Sequence, residues 1–119
     1  QAAAKLMVPK NRGTIFFTGA SAGVKGFPMS ATFAMGKFGL RGLAQSMARE
    51  LHPQNIHVVH VVVDGGIRSA EKNRVETQED EPDKWLDPDA IASTYWHLHT
   101  QHRSSWSWEI EVRPWVEKF

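Results

Sequence analysis

The sequence of 119 residues has no cysteine, which excludes a disulfide scaffold, a cysteine zinc site and a thiol nucleophile, and suits a reducing compartment. It has no apolar run of about 18 residues, so no membrane span is predicted. It has little net charge: 14 Lys and Arg against 13 Asp and Glu leave +1, which excludes a strongly basic nucleic-acid binder or an acidic tail as the main theme. It lacks internal repeats and low-complexity tracts, and the stretch from Gln1 to Lys10 is too short and wrongly ordered for a signal peptide. No two of its six histidines stand at the i, i+4 spacing of a helical zinc site. His97 and His99 fall on different faces of a predicted helix and His57 and His60 on opposite sides of a predicted strand, so no metal is expected. These absences describe an intracellular, cytoplasmic globular chain, and its length makes it one domain or part of one.

What is present has a clear order. Ala2 to Met7 reads as the last turns of a helix, stopped by Pro9 and the Lys10-Asn11-Arg12-Gly13 cluster. The β-branched and aromatic run Thr14 to Phe17 predicts a strand buried on both faces, as in a parallel sheet. Gly19 to Ser30 holds three glycines, a proline and several small residues, and so predicts a loop whose backbone can approach a ligand closely. Ala31 to Leu51 predicts the longest helix, with Ala34, Phe38, Leu43, Met47 and Leu51 toward the core and Leu40, Ala44 and Met47 in an outward stripe, closed by His52-Pro53. Ile56 to Val63 predicts a second buried strand.

Strand, helix and strand make a βαβ crossover, right-handed by rule, with ligands beyond the carboxyl ends of the strands. Thr18 to Ser30 and Asp64 to Ser69 should therefore share one site. Ala70 to Lys84 alternates charges and predicts a mobile loop or lid. Asp87 as N-cap and Pro88 at the first turn start a helix running to about Gln101 that buries Ile91, Tyr95 and Leu98. Ser107 to Val112 alternates Trp108, Ile110 and Val112 with polar residues, predicting a half-solvated edge strand. Trp106, Trp108 and Trp115 lack flanking basic stripes and read as packing residues rather than a base-stacking platform.

The strand, the small-residue loop, Phe33-Ala-Met-Gly-Lys37 within a long helix, the run Leu43 to Leu51, then Ile56-His-Val-Val and Asp64-Gly65 closely resemble the C-terminal half of the short-chain dehydrogenase/reductase (SDR) family. The resemblance implies an α/β fold, the second half of a Rossmann-like parallel sheet in three αβα layers. It divides the chain into residues 1–69 with the site, 70–86 as the mobile loop and 87–119 as helix and terminal strand. It also implies an NAD(P)-dependent oxidoreductase acting on a carbonyl or hydroxyl group. In the family the long helix carries Tyr-x-x-x-Lys, a serine lies thirteen residues before the tyrosine, and the second strand ends in Pro-Gly. Here Phe33 takes the tyrosine position, Ala20 the serine position with Ser21 one place off, and Asp64 the proline position.

Phe33 has no proton to give a carbonyl oxygen, and losing a positioned acid costs about 10² to 10⁴ in rate. The residue itself reads as core filler on the helix. Lys37 is either a ligand of the nicotinamide ribose or a solvent-facing helix lysine, and Ser21 orients a carbonyl only if the loop shifts by one residue. Gly65, Ile67 and Ser69, the last near a frequent threonine position, either lie at the nicotinamide or form a tight turn. The Gly-rich dinucleotide loop and the helix with the family's catalytic asparagine do not occur in these residues. NAD or NADP is therefore expected only together with a missing N-terminal half or partner chain, in a homo- or hetero-oligomer. The alternative is a non-catalytic, SDR-derived structural or interaction subunit of a larger assembly.

Overall fold

The computed structural model describes residues 1–21, 28–29 and 31–119. Three helices, α1 (Ala2–Met7), α2 (Ala31–Leu51) and α3 (Pro88–His99), alternate with three strands, β1 (Gly13–Ala20), β2 (Ile56–Val63) and β3 (Glu109–Val112). The strands form one parallel sheet in the order β1-β2-β3. This is the α/β, half-Rossmann architecture that the sequence implies.

β2 is the centre. All eight of its residues are buried, and each aliphatic side chain fully removed from water contributes about 1.5 to 3 kcal/mol. Ile56 and Val58 turn to one face, where they meet Ala48 and Leu51 of α2 together with Ala4, Met7, Ile15, Phe17 and Trp108. Val59, Val61 and Val63 turn to the other, against Leu98, Ile91 and Tyr95 of α3 with Phe16, Ile110 and Val112. The two crossovers step in the same direction across the sheet while their helices cover opposite faces, so they have opposite hands. With β1-α2-β2 in the usual right-handed sense, β2-α3-β3 is left-handed.

Several boundaries move. β1 is longer than the expected Thr14 to Phe17, because its residue-for-residue ladder with β2 runs on through Thr18↔Val61 and Gly19↔Val62 to Ala20↔Val63. β3 begins at Glu109 rather than Ser107, and α3 ends at His99. The Asp87 side chain accepts from the Asp89 amide as an N-cap. The remainder of the loop expected up to Ser30 falls partly outside the described residues.

The expected faces of α2 need correction. Its buried residues are Ala34, Ala44, Ala48 and Leu51, whereas Phe38 and Leu43 are exposed. Ala44, assigned above to the outward stripe, is fully buried. The helix approaches the sheet closely through small side chains, with Leu51 and Met47 the large ones that reach the core and Phe38 and Leu43 left outside. Phe33 is also exposed, at 54%, and is not core filler. It lies on the same helical stripe as Lys37, Arg41, Ala44, Ala48 and Leu51. A crossover helix runs antiparallel to its strands, so the first turn of α2 stands at the carboxyl edge of the sheet.

Candidate active site

Three segments meet at that carboxyl edge. β1 ends in Ala20, followed by Ser21 in a 3-10 turn. No bulge interrupts the β1-β2 ladder before Ala20, so nothing in the strand advances Ser21 into the place of Ala20. The first turns of α2 contribute Phe33 and Lys37, with the lysine Nζ 5.7 Å from the centre of the phenyl ring. Lys37 is half-buried and has no ion-pair partner among the described residues.

The third segment is the turn after β2. Gly65 has φ +135°, a conformation that side chains rarely adopt, and a Cβ there would stand 3.2 Å from Pro114 Cδ. Asp64 does two things a proline could not. Its amide donates to the Val112 carbonyl at 2.9 Å, extending the β2-β3 ladder by one bond, and its carboxylate accepts from Arg113 Nε at 3.1 Å. Arg113 also pairs with Glu111 and lies over the Phe119 ring, 3.9 Å from its centre. The C-terminal tail is thereby tied to the strand end.

Ile67 and Ser69 follow in a pinned backbone. Ile67 bridges Leu86, and Ser69 exchanges two backbone bonds with Arg74 at 2.9 and 2.8 Å. The segment 70–86, expected as a mobile loop, thus returns at both ends to the turn after β2. Trp85 packs against Gly66, with Lys84 and Arg74 5.0 and 6.0 Å from its ring.

Beneath this edge lies a network that local sequence patterns do not reveal. Arg41, one turn after Lys37, donates Nε and Nη2 to the Glu109 carboxylate at 2.7 and 3.1 Å. Glu109 also lies 2.9 Å from Nδ1 of fully buried His60. Trp108 is held between the Arg41 guanidinium and the His60 ring. Burial pushes the Glu109 carboxyl up, but the hydrogen bonds from Arg41 and His60 with their charges outweigh it, so the carboxyl lies below its ordinary value of 4.5. Glu109 is therefore a carboxylate at neutral pH, and His60 Nδ1 carries the proton it donates.

The sign of the linkage follows. A carboxyl whose folded pKa is depressed contributes stability that is fully present above its unfolded pKa and lost as pH falls through the folded one. Glu109→Gln is expected to lower the urea midpoint at pH 7, with the gap to wild type closing as pH falls through the range below about 4.5. A gap that stays constant across that range would show that the Glu109 charge contributes nothing.

His57 and His60 do not converge. His60 faces α2, while His57 turns to the other side and stacks on Trp106 with ring centres 4.5 Å apart. Burial lowers the His57 pKa from its ordinary 6.5, which the hydrogen bond to Ser107 only partly offsets. The neutral ring donates Nε2–H to the Ser107 carbonyl at 2.7 Å. Among the described residues no three His, Asp or Glu side chains gather as a metal site requires, and no helix is long and apolar enough to cross a membrane. Tyr95 and Thr18, not singled out by the sequence patterns as a pair, join α3 to the end of β1 through an oxygen–oxygen hydrogen bond of 2.5 Å.

Known proteins place this geometry. A short-chain dehydrogenase from Rhodopseudomonas palustris is 43% identical, with a TM-score of 0.73 over 95% of this chain and 43% of its own. A 4-hydroxyisoleucine dehydrogenase complexed with NADH and succinate is 26% identical, with a TM-score of 0.73 over 97% of this chain and 51% of its own. The NADPH-dependent 1-acyldihydroxyacetone phosphate reductase of Saccharomyces cerevisiae is 34% identical over 56 residues, 47% of this chain and 19% of the yeast protein. The chain thus spans a fifth to a half of the length of these relatives. Residues 1–80, which carry β1, α2, β2 and the turn after it, match the family model for short chain dehydrogenases. With that match and a parallel sheet that superposes on solved members, the chain belongs to the short-chain dehydrogenase family.

Proposed function

We propose that this chain forms the carboxyl-terminal half of the active domain of an NAD(P)-dependent oxidoreductase that acts on a carbonyl or hydroxyl group through a site without the family's serine and tyrosine. The observation that supports this reading is that the first turns of α2, which carry Lys37, and the turns after β1 and β2 lie at the same edge of the sheet. The residues fit a nicotinamide cofactor: Lys37 is a cation without a carboxylate partner among the described residues, and Gly65 offers bare, exposed backbone. Relatives that are NADPH-dependent or complexed with NADH support the cofactor class.

The cofactor supplies the hydride when bound. Lys37 would hold a ribose hydroxyl and Gly65, Ile67 and Ser69 the nicotinamide end, with Ser21 bordering the cleft one place past the serine position. Phe33 contributes a wall but no proton, so protonation of the substrate oxygen falls to water. The test is titration of the protein that carries this chain with NADH and NADPH. Lys37→Met is expected to weaken the preferred dinucleotide by about tenfold, the magnitude of a lost charge-assisted hydrogen bond. Wild-type protein without affinity for either would instead favour a non-catalytic subunit.

The outward face of α2 bears on assembly. Met35 and Phe38 are exposed there beside Gly39 and Gly42, where an added Cβ would meet nothing within 4 Å. Such a face suits a second helix at close approach, and an oligomer formed through it is the expected state. Phe38→Glu should then halve the mass seen by light scattering. An unchanged mass, or a wild-type protein that is already monomeric, would place the contact elsewhere or remove it.

A further inference from the structure

His60 is out of keeping with its strand. Its neighbours on the α2 side of β2, Ile56, Val58 and Val62, are aliphatic and fully buried. The His60 ring is just as buried, and its Nε2 has no hydrogen-bond partner among the described residues. Nε2 is thus a buried polar atom left unpaired among the described residues. That costs free energy which a fourth aliphatic side chain would not, so stability alone does not account for the imidazole.

The geometry accounts for it. The ring is held on three sides: Glu109 at Nδ1, the Trp108 indole on its face, and Gly19 against Nε2. A Cβ at Gly19 would overlap Nε2 and stand 3.2 Å from Cε1. The rigid ring therefore sets how closely the end of β1 approaches the α2 layer, immediately before Ala20 and Ser21. The same ring fixes Glu109, which takes both Arg41 bonds one helical turn from Lys37. One side chain thus connects the two segments that bear Ser21 and Lys37.

We infer that His60 is a positioning residue, a buried strut that holds the turn after β1 and the Lys37 end of α2 at a fixed separation. Its functional meaning rests on the reading that those two segments form one nicotinamide site. An aliphatic side chain would fill the space but release both ends. Asparagine places an N–H close to the position of Nδ1, so it can restore the tie to Glu109 while leaving the contact with Gly19 unmade.

Amide hydrogen exchange and NADH or NADPH titration of the protein carrying this chain test the strut. His60→Leu is expected to speed exchange about tenfold in two places, Gly19 to Ser21 and Met35 to Leu40, and to leave Ile56 to Val58 unchanged. Dinucleotide binding should weaken by about the same factor. His60→Asn should return Met35 to Leu40 toward wild type but not Gly19 to Ser21, a split that a merely structural role would not produce. If His60→Leu fails to fold, Glu109→Gln loosens the same tie from a half-buried position and should speed Met35 to Leu40 alone. Uniform loosening, or no change at either place, overturns the strut. Localised loosening in a protein that binds neither dinucleotide supports the strut and overturns the cofactor reading.

Discussion

Phe33→Tyr is expected to raise carbonyl reduction by the protein carrying this chain by about 10²-fold or more, since a positioned general acid typically contributes 10² to 10⁴. The change restores a phenol one helical turn from Lys37, whose ammonium already lies 5.7 Å from the ring centre. A cation at that distance favours the phenolate and so lowers the phenol's pKa toward the working range. Because Phe33 is 54% exposed at the sheet edge, the added hydroxyl meets water, and the stability change should stay within about 0.5 kcal/mol. The measurements are turnover against a panel of ketones and thermal unfolding, for wild type, Phe33→Tyr, and Phe33→Tyr with Lys37→Met. The double variant should lose most of the gain. No gain in the single variant, with the fold intact and dinucleotide bound, would mean that the scaffold does not hold a carbonyl in line with the cofactor. A gain that survives Lys37→Met would remove Lys37 from the chemistry.

Gly19→Ala is expected to cost about 1 to 3 kcal/mol, the usual range for forcing a methyl group into a packed core. The backbone at Gly19 lies in a strand that any residue adopts, so the effect is steric and falls on one neighbour, His60. That ring is fully buried, stacked on Trp108 and tied to Glu109, and has nowhere to go. Combining Gly19→Ala with His60→Ala should therefore cost at least about 1 kcal/mol less than the sum of the single changes, because the smaller side chain admits the methyl. Urea unfolding of the four proteins gives the cycle. Additive costs would show that the ring and the strand end do not bear on each other, and would undermine the strut as well.

The sequence by itself determined the elements and the family. The bounds of α1, α2 and β2 follow from punctuation and periodicity within a few residues, since Pro9, the His52-Pro53 pair and the β-branched run of β2 act locally. Asp87 and Pro88 likewise announce α3, and the order of Phe33, Lys37 and Gly65 around a βαβ unit carries the resemblance that the family match confirms. On the inward face of α2, Ala34 and Leu51 are buried as expected, but Phe38 and Leu43 are not, because large apolar residues are an unreliable signal of burial here. The helix lies so close to the sheet that alanines form the contact, and Phe38 and Leu43 remain outside.

Only the tertiary structure decided the rest. The opposite hands of the two crossovers depend on which face each helix covers, which no single segment encodes. Asp64 looks like a simple loss of the family's proline until Val112 and Arg113, nearly fifty residues away in sequence, are seen to take its amide and its carboxylate. Arg41, His60 and Glu109 come from a helix and two strands, each with an ordinary local pattern. Their meeting depends on parallel register and strand order, because hydrogen bonds between side chains follow distance in space while the periodicities legible in a sequence follow distance along the chain.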